Sequence, residues 1–342
     1  MAVLNSNNLT LLDWAKRRDP NGKIPTIAEL LGQTNEILDD AVFVEGNLPT
    51  GHRVVVRTGL PQVYWRALNQ GVPTGKSTTA QVDEGVGMLE SRAEVDRDLA
   101  TLNGDAAAFR ASEDLAFIEA MNQEQARVMF YGNPGVTPEQ YLGLAPRYGS
   151  LGAGNGSNIM DAGGTGSNNA SIWLLCWSDQ TVFCTFPKGS QAGLHYEDRG
   201  QQTVYNVNGV QGTRMEALVS LYQWKNGLVV KDWRYAARIC NINVTDVIAQ
   251  TNAQTLAAAT NIIRLMARVL YRIPNPRMGR MAFYMNRTIH SALSVMAMDR
   301  SQNVLTIQEG VSQFGTNRSY LSFLGVPIRQ VDSLLNTEAR VV

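Results

Sequence analysis

Residues 105–131 read DAAAFRASEDLAFIEAMNQEQARVMFY. Ala111, Leu115, Ile118, Asn122, Ala126 and Met129 recur at helical spacing, so the stretch predicts one long helix with that stripe turned to a core. Glu113, Glu124 and Arg127 fall on the far side. Asp105 is placed to cap the start and Gly132 to stop the end. At 1.5 Å per residue such a helix spans about 40 Å, long for a globular domain of this size.

Upstream, residues 46–95 read as a long hairpin. His52 to Thr58 is strand-like, and Gln62 to Leu68 continues it through Val63, Tyr64 and Trp65. Gly71-Val72-Pro73-Thr74-Gly75 is a turn signal, and Ser77 to Glu90 runs back. Legs of ~20 residues at ~3.3 Å each reach on the order of 60 Å. A two-stranded hairpin is marginal alone in water. Val55, Tyr64, Trp65, Val72, Val82 and Met88 are therefore expected to pack on an adjacent subunit. Residues 1–45 read as an arm with two short helical pieces, Leu9 to Arg18 and Thr26 to Asp39, divided by Pro20, Gly22 and Pro25. Thr26 and Glu29 have capping-box spacing.

Downstream, residues 143–169 are rich in glycine and read as a flexible loop. Strands are predicted at Ser171 to Trp177, Thr181 to Pro187, Gln201 to Val207, Ala217 to Trp224 and Leu228 to Ile242, with a hairpin turn at Lys225-Asn226-Gly227. The pattern then changes. Ala253 to Ile273 is helical, with Ile262, Leu265, Met266, Val269, Leu270 and Ile273 on one side and Pro274 and Pro276 ending it. Met281 to Met285 is a short strand, Asn286 caps a helix to Asp299, and strands follow at Val304 to Ile307, Ser319 to Leu324 and Pro327 to Val331. Such alternation marks a separate α/β unit.

The chain has 342 residues with 30 basic and 30 acidic side chains. That length suggests two or three domains. Zero net charge argues against a dedicated nucleic-acid binder, which would usually show a basic stripe, though not against a protein that encloses nucleic acid. Met1 to Thr10 is polar, so no signal peptide is expected, and no uncharged apolar run approaches ~18 residues. Cys176, Cys184 and Cys240 lie in apolar stretches without CxxC spacing and read as reduced, buried thiols.

Catalytic patterns fail on inspection. Gly71 to Ser77 ends in Gly-Lys-Ser, but three residues rather than four separate its glycines and no helix follows. The run Gly149 to Gly166 lacks the strand–loop–helix context of a dinucleotide site. His52, His195 and His290 sit on the hairpin, in a loop and on a helix, apart from any nucleophile pattern. The cluster His195-Tyr196-Glu197-Asp198 lacks a second histidine at metal-ligand spacing and reads as a loop clasping a neighbouring strand. No catalytic, cofactor-binding or metal residue is assigned.

Several words in the chain resemble a known family. Tyr141-Leu142-Gly143-Leu144-Ala145-Pro146-Arg147-Tyr148 is similar to the segment after the spine helix in major capsid proteins of epsilon15-like podophages. So are Ser171-Ile172-Trp173-Leu174, Phe186 to Leu194 with Glu197-Asp198, Ala282 to Thr288, and Gly325-Val326-Pro327-Ile328-Arg329 with Asp332. The order of elements also resembles the HK97-type capsid fold, an α+β architecture. The resemblance implies an N-terminal arm over 1–45, an E-loop hairpin over 46–95, and a P-domain over 96–243 with a spine helix at about 105–131 and the glycine-rich loop. An α/β A-domain over 244–332 and a tail over 333–342 complete it.

That resemblance implies a non-enzymatic virion subunit, assembled in the host cytoplasm into hexamers and pentamers of an icosahedral head. It implies a scaffolding protein and a portal protein as partners, a decoration protein left open, no membrane, and double-stranded DNA enclosed without sequence-specific binding. An encapsulin-like shell around cargo enzymes is the alternative. Tyr64, Trp65, Lys76, Trp14 and Arg17 are the residues expected at intersubunit contacts.

Overall fold

The computed structural model describes residues 9, 13, 31–102, 105–207, 210–249, 253–298, 305–311 and 317–342, with 253–260, 297–298, 305–311 and 317–320 described by backbone alone. In order the elements are α1 (Ile37–Asp40), β1 (Phe43–Glu45), β2 (Gly51–Gly59), β3 (Thr78–Gly85), β4 (Gly87–Asp96), α2 (Arg97–Thr101), α3 (Ala106–Tyr131) and α4 (Leu144–Arg147). Then come β5 (Ile159–Asp161), β6 (Asn169–Trp177), β7 (Val182–Phe186), β8 (Leu194–Tyr205), β9 (Arg214–Val230) and β10 (Ala236–Asn243). The last are α5 (Val244–Ala249), α6 (Ala253–Leu270), β11 (Arg280–Met285), α7 (Arg287–Met298), β12 (Leu305–Val311), β13 (Asn317–Phe323) and β14 (Val326–Gln330). They form two compact units, 1–33 with 88–125 and 193–225, and 34–87 with 126–192 and 226–342.

In the first unit β8, β9 and β4 form a sheet, and β8 pairs β9 antiparallel from Leu194↔Trp224 to Tyr205↔Arg214. Most of α3 belongs here. Its start is capped as expected, the Ala108 amide donating to Asp105 Oδ1 at 3.1 Å. The anticipated stripe is buried at its C-terminal end, at Ala126 and Met129, but not along the part in this unit. Phe109 and Met121, with Phe117, pack among Ala93, Val95, Leu218 and Tyr222, whereas Ala111, Leu115 and Ile118 are exposed. Apolar residues lie all round this helix, so spacing alone admits two stripes, and aromatic bulk decides between them. His195 to Asp198 lie on β8, not in a loop, and Arg110 holds Asp198 at 2.7 Å and Ser220 Oγ at 3.0 Å.

The second unit is built on β6, every residue of which is buried. Alternation divides it: Ala170, Ile172, Leu174 and Cys176 enter one core, and Trp173, Leu175 and Trp177 another. β10 and β11 flank β6, both antiparallel, and β11 continues through β14 to β13 and β12. α5, α6 and α7 cover one face with Ile262, Leu265, Met266, Val269, Ile289 and Leu293, and the end of α3 contributes Ala126, Met129 and Phe130 to the other. Each fully buried side chain of this size contributes roughly 1.5–3 kcal/mol. The Asn286 side chain caps α7 at the Ile289 amide, 2.9 Å, as expected.

Two expectations fail here. The Lys225-Asn226-Gly227 turn does not exist, because β9 runs through it to Val230 with Asn226 buried. Gly227 is needed for close approach: a Cβ there would sit 2.5 Å from the Gly85 carbonyl oxygen. The glycine-rich stretch is not a uniform loop. It holds α4, a 3₁₀ turn at Gly156–Asn158 and β5, which pairs parallel with β10. Asn158 is buried and donates to the Ala236 carbonyl at 3.0 Å. The helical pieces foreseen at Leu9 to Arg18 and Thr26 to Asp39 lie almost wholly outside the described residues, apart from the single turn of α1.

Candidate assembly surfaces

β2 and β3 pair antiparallel from Gly51↔Gly85 to Gly59↔Thr78. Arg53 reaches across to Asp83 with two bonds of 2.6 Å, and Thr58 meets Thr78 at 3.1 Å. Beyond Gly59 the ladder stops. Residues 60–77 are neither helix nor strand, so the expected strand over Gln62 to Leu68 is not formed. Leu60, Val63, Trp65 and Leu68 are exposed there, Trp65 at 105%. The Tyr64 hydroxyl donates to Gln62, two residues away, at 2.5 Å. Contiguous exposed apolar patches are rare on monomeric soluble proteins.

The base of the hairpin is rigidly held. Val54 is buried with Phe183 and Val229, and the His52 ring meets Phe183 edge-on at 5.4 Å. Burial, then the nearby Lys231 charge, pushes the His52 pKa down. Glu84 is buried and accepts both terminal nitrogens of Arg147, at 2.5 and 2.6 Å. Arg147 Nη2 also reaches the carbonyls of Leu142 and Leu228, each at 3.1 Å. A paired arginine fork satisfied by carbonyls is the arrangement in which a buried charge is tolerated.

A second buried pair fixes the C-terminal segment. Arg238 donates to Glu338 at 2.8 Å, Ser171 Oγ at 3.0 Å and the Tyr148 carbonyl at 2.9 Å, and lies 5.0 Å from the Trp173 ring centre. Glu338 also accepts the Tyr131 and Ser171 hydroxyls. Burial, then the Glu338 charge, holds the Tyr131 hydroxyl protonated far above the ordinary tyrosine range. The Glu338 amide bonds the Asn169 carbonyl at 2.8 Å, and Asn241 brackets Val341 with bonds of 2.8 and 2.9 Å. Neither pair is visible in the sequence, since each joins residues far apart without a motif.

Reactive chemistry is not assembled at these places. Cys176, Cys184 and Cys240 are buried, and burial pushes the last two thiols up to about 12 and about 11. Among the described residues no three His, Cys, Asp or Glu side chains converge as metal ligands.

The family model for the major capsid protein GP7 matches residues 19–342. The chain belongs to that family. The solved structure of bacteriophage Epsilon15 matches this capsid protein at 35% identity over 100% of this chain and 99% of that one, with a TM-score of 0.71. The capsid of bacteriophage JBD30 matches at 11% identity, covering 89% and 92% of the two chains, with a TM-score of 0.48. The SrpI encapsulin of Synechococcus elongatus matches at 13%, covering 69% and 98%, with a TM-score of 0.42. A search of curated proteins finds no significant match. The capsid protein has the HK97-type α+β fold and is a major capsid subunit of a phage virion.

Of the residues expected at intersubunit contacts, Tyr64, Trp65 and Lys76 lie together in the 60–77 loop and are exposed. Trp14 and Arg17 lie outside the described residues.

Proposed function

We propose that this capsid protein closes into an icosahedral head of hexamers and pentamers around double-stranded DNA, and that it carries out no catalysis. The observation that carries the reading is the 60–77 loop. Its apolar side chains face solvent while the strands below it are fixed by Val54 and the Arg147–Glu84 pair. A subunit gains nothing from exposing Trp65, Leu60, Val63 and Leu68 unless a neighbouring copy covers them. In this reading residues 46–95 are the E-loop, Tyr64, Trp65 and Lys76 touch the neighbour, and Trp14 and Arg17 do the same from the arm. Residues 96–243 are the P-domain and 244–332 the A-domain. Scaffolding and portal proteins act as separate partners during assembly in the host cytoplasm.

Electron microscopy and size-exclusion chromatography of the protein co-expressed with the scaffold encoded beside it test this. Closed shells with five- and six-fold capsomers are expected. A stable monomer or dimer at high concentration, scaffold present, overturns it.

A further inference from the structure

The overall neutrality of the chain conceals an uneven distribution. Residues 247–298 hold six arginines, Arg264, Arg268, Arg272, Arg277, Arg280 and Arg287, and no aspartate or glutamate. Two are engaged: Arg287 pairs with Asp332 at 2.5 Å, and Arg280 donates to the Asp40 carbonyl at 3.1 Å. Among the described residues the side chains of Arg264, Arg268, Arg272 and Arg277 have no acidic partner, and all four are exposed.

Their placement follows from how α6 packs. Ile262, Ile263, Leu265, Met266 and Val269 are buried in the core. Arg264, Arg268 and Arg272 recur at four-residue steps on the solvent side, the last in the turn that continues the helix, where its amide bonds the Val269 carbonyl. Each step advances about 6 Å and keeps the guanidinium groups on one side. Tyr271, 82% exposed, lies between the second and third arginines on this side, and Arg277 follows in the next turn.

We propose that this stripe is a sequence-independent binding face for the phosphodiester backbone of nucleic acid. Guanidinium groups suit phosphate oxygens. An exposed ring among them offers a stacking surface. Four unpaired like charges on neighbouring turns repel one another, and an array of phosphates relieves that repulsion. The arginines outnumber the exposed amides Asn261 and Asn275 beside them, so contacts to phosphate are expected to dominate.

The test uses the full-length, unassembled subunit and a fluorescent 30-base-pair duplex of arbitrary sequence, with anisotropy read across a salt series. It is independent of shell closure. Four phosphate contacts give a log–log salt slope of about −3 to −4, so affinity falls on the order of 10²-fold from 50 to 200 mM salt. The R264Q/R268Q/R272Q variant is expected to flatten the slope to about −1, and each single variant to lower it by about 0.9. R264K/R268K/R272K should retain most of the slope. An unchanged slope in the triple glutamine variant, with native circular dichroism, overturns the proposal. So does equally tight binding of polyglutamate. Loss of shell closure with duplex binding intact would place the stripe between copies of the chain and overturn it as well.

Discussion

Replacing Glu84 by alanine removes the acid at the root of the hairpin and leaves Arg147 buried beside its former partner. The two side chains are 7% and 14% exposed, so the pair is largely withdrawn from water. Deleting one member of such a pair costs about 3–5 kcal/mol. Leu142 and Leu228 still accept from Arg147, which places the loss near the lower end, about 3 kcal/mol. The pair joins β3 to the body, so the loss falls on opening of the hairpin rather than on the whole unit. At 1.4 kcal/mol per factor of ten, local opening becomes roughly 100-fold more frequent. Native-state hydrogen exchange on the soluble subunit reads this directly. Protection of amides in Gly51–Gly59 and Thr78–Gly85 should fall by about that factor, while amides of β6 keep theirs. Glu84→Gln, which retains hydrogen-bonding capacity without charge, should fall between. Hairpin protection within twofold of wild type in Glu84→Ala would refute the reasoning.

Replacing residues 60–77 with a short Gly-Ser turn should leave a soluble subunit with native circular dichroism that no longer forms stable shells; shells of normal stability would show that the loop is not an intersubunit element. Glu338→Ala strands the Arg238 charge in the core and should destabilise the fold by about 3–5 kcal/mol in denaturant titration. Arg238→Met with Glu338→Leu should recover part of that loss, since an apolar replacement removes both buried charges. The thiols of Cys184 and Cys240 have folded-state pKa values raised by burial to about 12 and about 11. Their contribution is fully present below the unfolded thiol value near 9 and fades as pH rises through 11 to 12, so the denaturation midpoint should drop above about pH 9, and a thiol reagent at pH 8 should react only as fast as the chain unfolds. Gly227→Val should be poorly tolerated, because a Cβ meets the Gly85 carbonyl at 2.5 Å, and reduced soluble yield or a lowered melting temperature would register it.

What could be read from the sequence were signals confined to short windows. Asp105 and Asn286 cap their helices because capping is settled within four residues. The helix over Ala106–Tyr131 and the strand Asn169–Trp177 follow from local periodicity and apolar runs. The failures share a cause of the opposite kind. Lys225-Asn226-Gly227 has the composition of a turn, yet Gly227 serves a contact with Gly85, which lies 142 positions earlier. Leu115 and Ile118 have core chemistry, but which stripe of α3 is buried depends on strands at 93–95 and 218–222. Arg147–Glu84 and Arg238–Glu338 span 63 and 100 residues and leave no trace in either local window.

The same division separates what folds the subunit from what it offers to others. The long-range pairs sit where independent segments must be joined: Glu84 ties the hairpin and Glu338 ties the C-terminal segment. A hairpin exposing Trp65 and Leu68 on a hinge would lose much of its docking energy to ordering at the moment of contact. If the loop docks on a neighbouring copy as proposed, fixing its root in the isolated subunit meets that cost beforehand, and each copy presents its apolar loop in one direction. Shell closure multiplies such contacts, so a modest gain per loop accumulates over every subunit. On this argument the sensitivity of assembly to Glu84 should exceed its effect on global stability. Comparing the two in one variant separates a residue that orients an interface from one that merely stabilises a fold. A Glu84→Ala subunit with a near-native melting temperature and a raised critical concentration for shells is the expected pair of results; equal losses in both would mean that the hairpin root belongs to the folding core.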